Sequence, residues 1–434
     1  MAVLSKLRDV LRSTADWSVR ASRTRGARKR SVVFLHNNYY HFRYLAAALR
    51  RRGWDAIAVS LERPDGRNSP FYHGEDVNLF DEDPNIFRKR IRRFVEEVPR
   101  RFRMVHFTGD GMMAVDPANE DTNPRRDAIP WEFLEWRRAG LKVGYTAGGC
   151  TDGLAQSSFR KWSHDSCDRC SLSLNGEVCS DMRNLAWGHK REMFCDLIAS
   201  ETLPSADYLR GPKVFREPLT IGLDPEIWRP DIAVPERFRE RRAAGEVLIY
   251  HAVGNYFDAH YGGKRDYKGT PAIKRAVEKL AVEGLPVRLL FAHDVHSTEV
   301  RFLQVQADIV VDQLNAGRYG ANARESLMLG RPVVGRIRKE EPDGSPQLSC
   351  LQECPIVDAD EESIETVLRD LVRAPERHRE LGRRSREYAL KWHSVEALAA
   401  RYEAVYDWVL SGRTPTTAPL VMESPWRDRA EASR

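Results

Sequence analysis

ADIVVDQLNAGRYGANARESLMLGRPVVG, running from Ala307 to Gly335, is the stretch that decides the fold. Its apolar opening predicts a buried strand over Asp308–Leu314. A loop with Gly317 and Gly320 follows, then a helix over Ala321–Leu329 that carries Glu325. Gly330 ends that helix, and Pro332 enters a further strand, Pro332–Ile337. A parallel strand feeding a helix through a glycine-containing loop is where an α/β fold binds phosphate. Free backbone N–H groups and the helix dipole both point there. Ligands also gather at the carboxyl ends of such strands. A carboxylate in the first turn or two of the helix can accept hydrogen bonds from ribose hydroxyls, and Glu325 is placed for this. Asn322, Arg318 and Arg324 lie on the same loop and helix start; either arginine could reach phosphate or simply face water.

The same rhythm extends in both directions. Upstream, strands are predicted over Val247–Val253 and Val287–His293, and helices over Thr270–Val282 and Val300–Gln306. Downstream come a strand at Pro355–Val357 and three helical stretches reaching Leu410. A Pro-rich stretch, Pro212–Pro235, reads as a linker. Before it lies an earlier series: strands over Ser31–His36, Ala56–Leu61, Met104–Thr108, Lys142–Ala147 and Cys195–Ser200. Helices are predicted over Tyr39–Arg52, Ile86–Val98, Trp131–Ala139 and Leu203–Leu209. Short apolar strands alternating with helices argue for parallel, doubly wound sheets. The expected architecture is two Rossmann-like halves: residues 31–220 with a Cys-rich insert at 149–195, and residues 221–393. A helix over 394–412 and a loose tail over 413–434 follow.

The 434 residues suit two domains, and a content of 42% hydrophobic and 30% charged residues suits a globular chain. No apolar run is long enough to span a bilayer, and no apolar segment near the start precedes a small-residue cleavage site, so a cytoplasmic location is expected. The net charge of +6 is uneven: the first thirty positions hold nine basic residues against two acidic ones. Residues 4–17 have helical spacing of apolar positions and would suit a short interfacial helix or one docked on the first domain. Arg88, Lys89, Arg90, Arg92 and Arg93 form a second basic run. Such patches suit anionic lipid, a phosphorylated substrate or nucleic acid, or simply a solvated face. Nucleic acid is disfavoured, because no aromatic residues interleave with the basic runs.

The 307–335 segment resembles the nucleotide-sugar-binding region of retaining GT-B glycosyltransferases of the large family four, especially the bacterial surface-polysaccharide branch. The resemblance implies that Glu325 grips the donor ribose and that the backbone at Gly320 approaches the diphosphate. Tyr267-Lys268-Gly269-Thr270 looks like the family's "KG" element, which implies that Lys268 contacts the donor diphosphate. A lysine there makes sense as a point charge stabilising departing pyrophosphate. Asp360–Tyr388 and Trp392-His393-Ser394 up to Trp408 look like the closing helices, the last of which crosses back to the first domain. The sequence departs from the family at three places. Gly317 stands where a glutamate is common. Asn255 follows Gly254 where an arginine is usual, with Lys264 and Arg265 close by to restore charge. Gly148 occupies the position of a first-domain histidine. A retaining mechanism can still use the leaving phosphate as its own base, leaving the protein to position and stabilise charge.

In the first half, His36, Asn37 and Asn38 follow the first strand, and Asp110 and Asp152 follow the third and fourth; these are the expected acceptor contacts. His106 lies within a strand and is expected in the core. Cys167 and Cys170 form a C-x2-C pair, with Cys179 and Cys150 as further ligand candidates. Structural zinc, reduced thiols, a disulfide and an iron–sulfur cluster are the open readings. The expectation is transfer of glycosyl from a nucleoside-diphosphate sugar to a hydroxyl of a glycan or lipid-linked acceptor, by an enzyme peripheral to an anionic membrane surface, without a catalytic metal. The alternative is an inactive nucleotide-sugar-binding scaffold.

Overall fold

The computed structural model describes residues 30–35, 40, 42–66, 69–108, 131–147, 153–162, 166–176, 178–200, 207, 211–219, 221–254, 268–340 and 348–422. Two parallel sheets organise them. The first contains β1 Ser31–Leu35, β2 Asp55–Ser60, β3 Val77–Asn78, β4 Met104–Thr108, β5 Lys142–Ala147, β6 Leu197–Ser200 and β7 Val214–Phe215, in the order β3-β2-β1-β4-β5-β6-β7. The second contains β8 Val247–Val253, β9 Val287–His293, β10 Ile309–Val311, β11 Val333–Gly335 and β12 Val357–Asp358, in the order β12-β11-β10-β8-β9. Strand order reverses between β1 and β4 in one sheet and between β8 and β10 in the other. Crevices for ligands open at such reversals, outside the carboxyl ends of the strands.

Both faces of the first sheet are covered, which is why its strands are apolar throughout. Val33 and Leu35 point toward the helices Pro84–Arg101, Trp131–Arg138 and Asp181–Phe194. Val32 and Phe34 point to the other side, toward Arg43–Arg51 and Val395–Leu410. The last of these helices therefore packs on the first sheet although it follows the second in sequence. Its break from the preceding helix Glu376–His393 is capped by Ser394, whose Oγ accepts from Ala397 N at 3.2 Å. The break is also bonded to the linker: Leu223 N donates to His393 O at 2.8 Å, and Val395 N to Leu223 O at 2.9 Å. Gly222 permits this approach, since a Cβ there would lie 2.7 Å from Val395 Cγ1. The fully buried Arg401 donates to the carbonyls of Pro218, Lys391 and Trp392, so both chain crossings between the halves are tied together.

His106 is fully buried, as its position in a strand suggests. One ring nitrogen shares a hydrogen bond with Thr146 Oγ1 and the other with Tyr406 Oη, each at 2.8 Å. Burial depresses its pKa to about 3.

Several boundaries differ from the sequence reading. The basic helix starts earlier, at Pro84, because Asp83 caps it by accepting from Asn85 N and proline suits the first turn. β10 ends at Val311 rather than Leu314; Asp312 N still bonds Val334 O at 2.9 Å, while its carboxylate bonds the loop that follows. The Pro-rich stretch contributes β7 to the first sheet before it becomes a linker. Part of the tail is ordered: Thr416 N and Oγ1 both bond Pro212 O beside β7. The second helix of the second half is Ser297–Gln304, capped by His296, rather than Val300–Gln306. β3 was not anticipated; two residues carry too little pattern to read. The N-terminal segment before Arg30, most of the expected helix Leu203–Leu209 and the tail beyond Met422 lie outside the described residues. Among the described residues, no helix is long and apolar enough to cross a membrane.

Candidate functional site

At the β8/β10 reversal, two loops distant in sequence are joined. Leu314 N donates to Lys268 O at 3.0 Å, binding the Gln313–Gly320 loop to the Lys268-Gly269 turn. Gly269 caps the helix Thr270–Val282 with φ of 83°, and a Cβ there would meet Leu314 at 3.0 Å. Glycine is thus required twice, by the left-handed backbone and by the close approach. His251 on β8 locks the same corner, through Val311 O and Thr270 Oγ1, both at 2.9 Å. Burial, and next the Lys268 charge, lower its pKa to about 3. Lys268 Nζ itself donates to Ala252 O at 2.9 Å.

Beyond β10, Asp312 holds the start of the helix Ala321–Met328. Its Oδ2 accepts from Gly320 N at 3.1 Å, and its Oδ1 from Asn322 Nδ2 at 3.3 Å. Gly320 has an extended backbone, and a Cβ there would meet nothing within 4 Å. The space beside Gly320 is therefore open, as a phosphate-binding backbone requires. Gly317 adopts φ of 66°, and its carbonyl accepts from Arg338 N.

Glu325 lies at the centre of the site and is only 2% exposed. Tyr40 Oη, from the first half, donates to its Oε1 at 2.6 Å. Gln304 Nε2 donates to its Oε2 at 3.1 Å and to Asn322 Oδ1 at 3.0 Å. Tyr250 on β8 is fully buried nearby; its pKa rises well above the usual phenol value through burial and then through the charges of Glu325 and Asp312. Its hydroxyl has no partner among the described residues.

Tyr40 belongs to an aromatic cluster that closes the floor of the cleft. Its ring lies 4.8 Å from His73 and 5.4 Å from Trp228, centroid to centroid. Tyr44 Oη shares a hydrogen bond with His73 Nδ1 at 3.0 Å, and His73 Nε2 with Ser297 Oγ of the second half at 2.8 Å. Burial raises the Tyr44 pKa to about 12 and lowers that of His73 to about 3. Further contacts cross the cleft: Ser166 Oγ donates to Asn315 O, Ser349 Oγ bonds Glu217, and the Phe71 ring lies against Gly254.

The structure thus brings Lys268, Gly320, Asn322 and Glu325 to one corner. Arg324 is buried, and its charge helps burial depress the pKa of His393 well below the usual value. Arg318 is half-buried and its carbonyl accepts from Gln313. Asn255, Arg265, His36, Asn37, Asn38, Asp110, Asp152 and Cys150 lie outside the described residues. Cys167 and Cys179 are buried and Cys170 is half-buried, and Cys179 Sγ accepts from Gln156 and Asn184, each at 3.4 Å. Among the described residues, no group of three or more His, Cys, Asp or Glu side chains could hold a metal ion. The sequence reading missed Tyr40, Gln304, Asp312 and His251. Asp312 carried the clearest signal, a carboxylate ending an apolar strand just before a glycine loop.

By sequence the chain matches no family profile and no curated protein. By structure it is similar to sucrose-phosphate synthase from Thermosynechococcus elongatus, with a TM-score of 0.55 at 14% identity over 88% of this chain and 100% of that one. It is similar to Anabaena HepE in complex with UDP and glucose, with a TM-score of 0.51 at 10% identity over 86% and 98%. A glycosyltransferase from Rickettsia africae gives 0.51 at 11% identity over 88% and 99%. The fold is the GT-B fold of these glycosyltransferases: two parallel-sheet halves that face each other across a cleft.

Proposed function

We propose that this chain is a glycosyltransferase that moves a sugar from a nucleoside-diphosphate donor to a hydroxyl acceptor with retention, in synthesis of a surface polysaccharide or glycolipid. The observation that carries the reading is the stitched corner at the β8/β10 reversal, where Lys268, the open backbone at Gly320 and the Glu325 carboxylate converge. The domain reading proposed with it gives donor binding to 221–393 and acceptor binding to 31–220, with 394–412 as the helix that crosses back. Lys268 would exchange the Ala252 carbonyl for the donor diphosphate and stabilise charge on the leaving group. The helix start beside Gly320 would face the same phosphates. Glu325 would accept from the ribose hydroxyls. HepE was solved with UDP and glucose, which supports a nucleotide sugar as the donor class. His36, Asn37, Asn38, Asp110 and Asp152 remain the proposed acceptor contacts. A structural zinc on Cys150, Cys167, Cys170 and Cys179 is tested by metal content of the purified protein.

One observation favours a second reading. Gly317 and Gly148 stand where a glutamate and a histidine are usual in the resembling family, as a binding scaffold that no longer turns over would tolerate. The test is incubation with a panel of nucleotide sugars, following release of nucleoside diphosphate and the anomeric configuration of any product. Release from one donor, lost in Lys268→Ala, supports transfer. Nucleotide-dependent stabilisation of about 2.7 kcal/mol at one hundred times Kd, without release, supports the scaffold. Neither effect with any donor sinks both readings.

A further inference from the structure

We infer that Tyr40 competes with the nucleotide's ribose for Glu325, so that donor binding must displace a residue of the acceptor half. The inference rests on the proposed reading of Glu325 as the ribose-binding carboxylate. A ribose offers two adjacent hydroxyls, each able to donate to one oxygen of a carboxylate. Here each of the same two oxygens already accepts from a described side chain, Tyr40 Oη at 2.6 Å and Gln304 Nε2 at 3.1 Å. With the carboxylate only 2% exposed, a diol cannot reach it while both donors stay. Gln304 belongs to the second half and sits beside the same helix, so it can remain as part of the site. Tyr40 comes from the other side of the cleft, from the connection that follows β1 in sequence, the strand at which the first sheet reverses its order. It is the donor whose departure frees an oxygen without dismantling the second half.

Tyr40 is also anchored where such a competition would be felt across the cleft. Its ring packs on His73, which bonds Ser297 of the second half, and on Trp228, whose main-chain carbonyl accepts from Arg386. Displacing the phenol would loosen the Tyr40–His73–Ser297 contact between the halves. Nucleotide binding and the relation between the two halves would then be linked through one hydroxyl. Apparent affinity falls in proportion to the fraction of molecules in which Tyr40 has left Glu325.

The test is titration of the full chain with nucleoside diphosphates and, separately, with inorganic pyrophosphate, for wild type, Tyr40→Phe and Glu325→Ala. Tyr40→Phe keeps the ring in its cluster and removes only the donor. A hydrogen bond to a charged group is strong enough that its loss should tighten the preferred nucleoside diphosphate about tenfold. Pyrophosphate, which has no ribose, should bind wild type and Tyr40→Phe equally. Tyr40→Met, which lacks the hydroxyl but keeps similar bulk, serves if the phenylalanine variant fails to fold. Equal or weaker nucleotide binding in the Tyr40 variants, with binding lost in Glu325→Ala, overturns the competition and leaves the donor site standing. Absence of nucleotide binding in wild type and both Tyr40 variants overturns the site reading and the competition with it.

Discussion

The two walls of the cleft are built by different means. In the second half the loops are held largely through main-chain groups: Leu314 N on Lys268 O, Gly320 N on the Asp312 carboxylate, and a left-handed Gly269 pressed against Leu314. In the first half the described cleft residues act through side chains: Tyr40 on Glu325, Tyr44 on His73, His73 on Ser297. Main-chain fixation demands glycine or a capping carboxylate at set positions and so constrains sequence. Side-chain contact can be made by many residue types. On the proposed function, a donor site that presents backbone to phosphate suits the first strategy, and a wall that varies with the acceptor suits the second.

The contrast breaks most sharply where the walls are joined. Arg401→Met removes three hydrogen bonds to carbonyls at the chain crossings and leaves those acceptors in a dry interior. The loss should be about 3 kcal/mol, and calorimetry should show the single unfolding transition separating into two as the halves uncouple. A variant that melts within about two degrees of wild type in one transition would show that packing of Val395–Leu410 alone couples them.

Within the second half, two glycines of the same corner should behave oppositely. Gly269→Ala places a Cβ 3.0 Å from Leu314 in a left-handed backbone and should cost about 2–3 kcal/mol. Gly320→Ala meets open space in an extended backbone and should stay within about 0.5 kcal/mol of wild type in urea unfolding. Equal costs at the two positions would mean that the corner is not held by main chain.

A smaller effect tests burial in the walls and between them. His106 in the first half, His251 in the second and His73 at the interface all have pKa values lowered to about 3. Each folded value lies below the unfolded value near 6.5, so the unfolded chain binds more protons between pH 3 and 6.5. Stability is therefore fully present above pH 6.5 and is lost as pH falls. By linkage, each buried histidine should contribute a loss of about 2 kcal/mol at pH 5 relative to pH 8, and less for His73, which is not fully buried. Urea midpoints that stay constant across this range would show that these rings protonate without leaving their sites.

The fold was legible because its cause is periodic. Apolar runs such as Val247–Val253, buried on both faces, and helices such as Thr270–Val282 announce themselves by composition and spacing. The corner at the β8/β10 reversal was partly legible for the same reason that it is rigid: Gly269, Gly320 and Gly330 punctuate it. What escaped was anything set by a contact between distant side chains. Nothing in the local sequence of Tyr40 indicates that it donates to a carboxylate 285 positions away. Nothing around Gln304 indicates that it shares that carboxylate. Arg324 reads in sequence equally as a phosphate contact or a solvated side chain, and only the packing shows that it is buried, with its charge felt at His393. Strand ends are harder to read where a polar side chain, as at Asp312, caps the next element while its own N–H stays in the ladder.

The smallest effect separates a cooperative wall from an additive one. His106, fixed by Thr146 and Tyr406, connects β4, β5 and the C-terminal helix, and Tyr402 Oη lies 3.4 Å from the same threonine oxygen. Tyr406→Phe removes one bond to a buried ring nitrogen and should cost about 1 kcal/mol; Thr146→Val should cost about the same. A neutral imidazole has one donor and one acceptor nitrogen, so losing either partner leaves the ring free to choose its tautomer for the other. The double variant should then differ from the sum of the singles by about 0.5 kcal/mol or more, measured as a double-mutant cycle in urea. Strict additivity would mean that each bond is satisfied independently of the tautomer. In that case the side-chain wall would be as position-by-position as the main-chain wall opposite, and the contrast between them would lie only in how much of it sequence reveals.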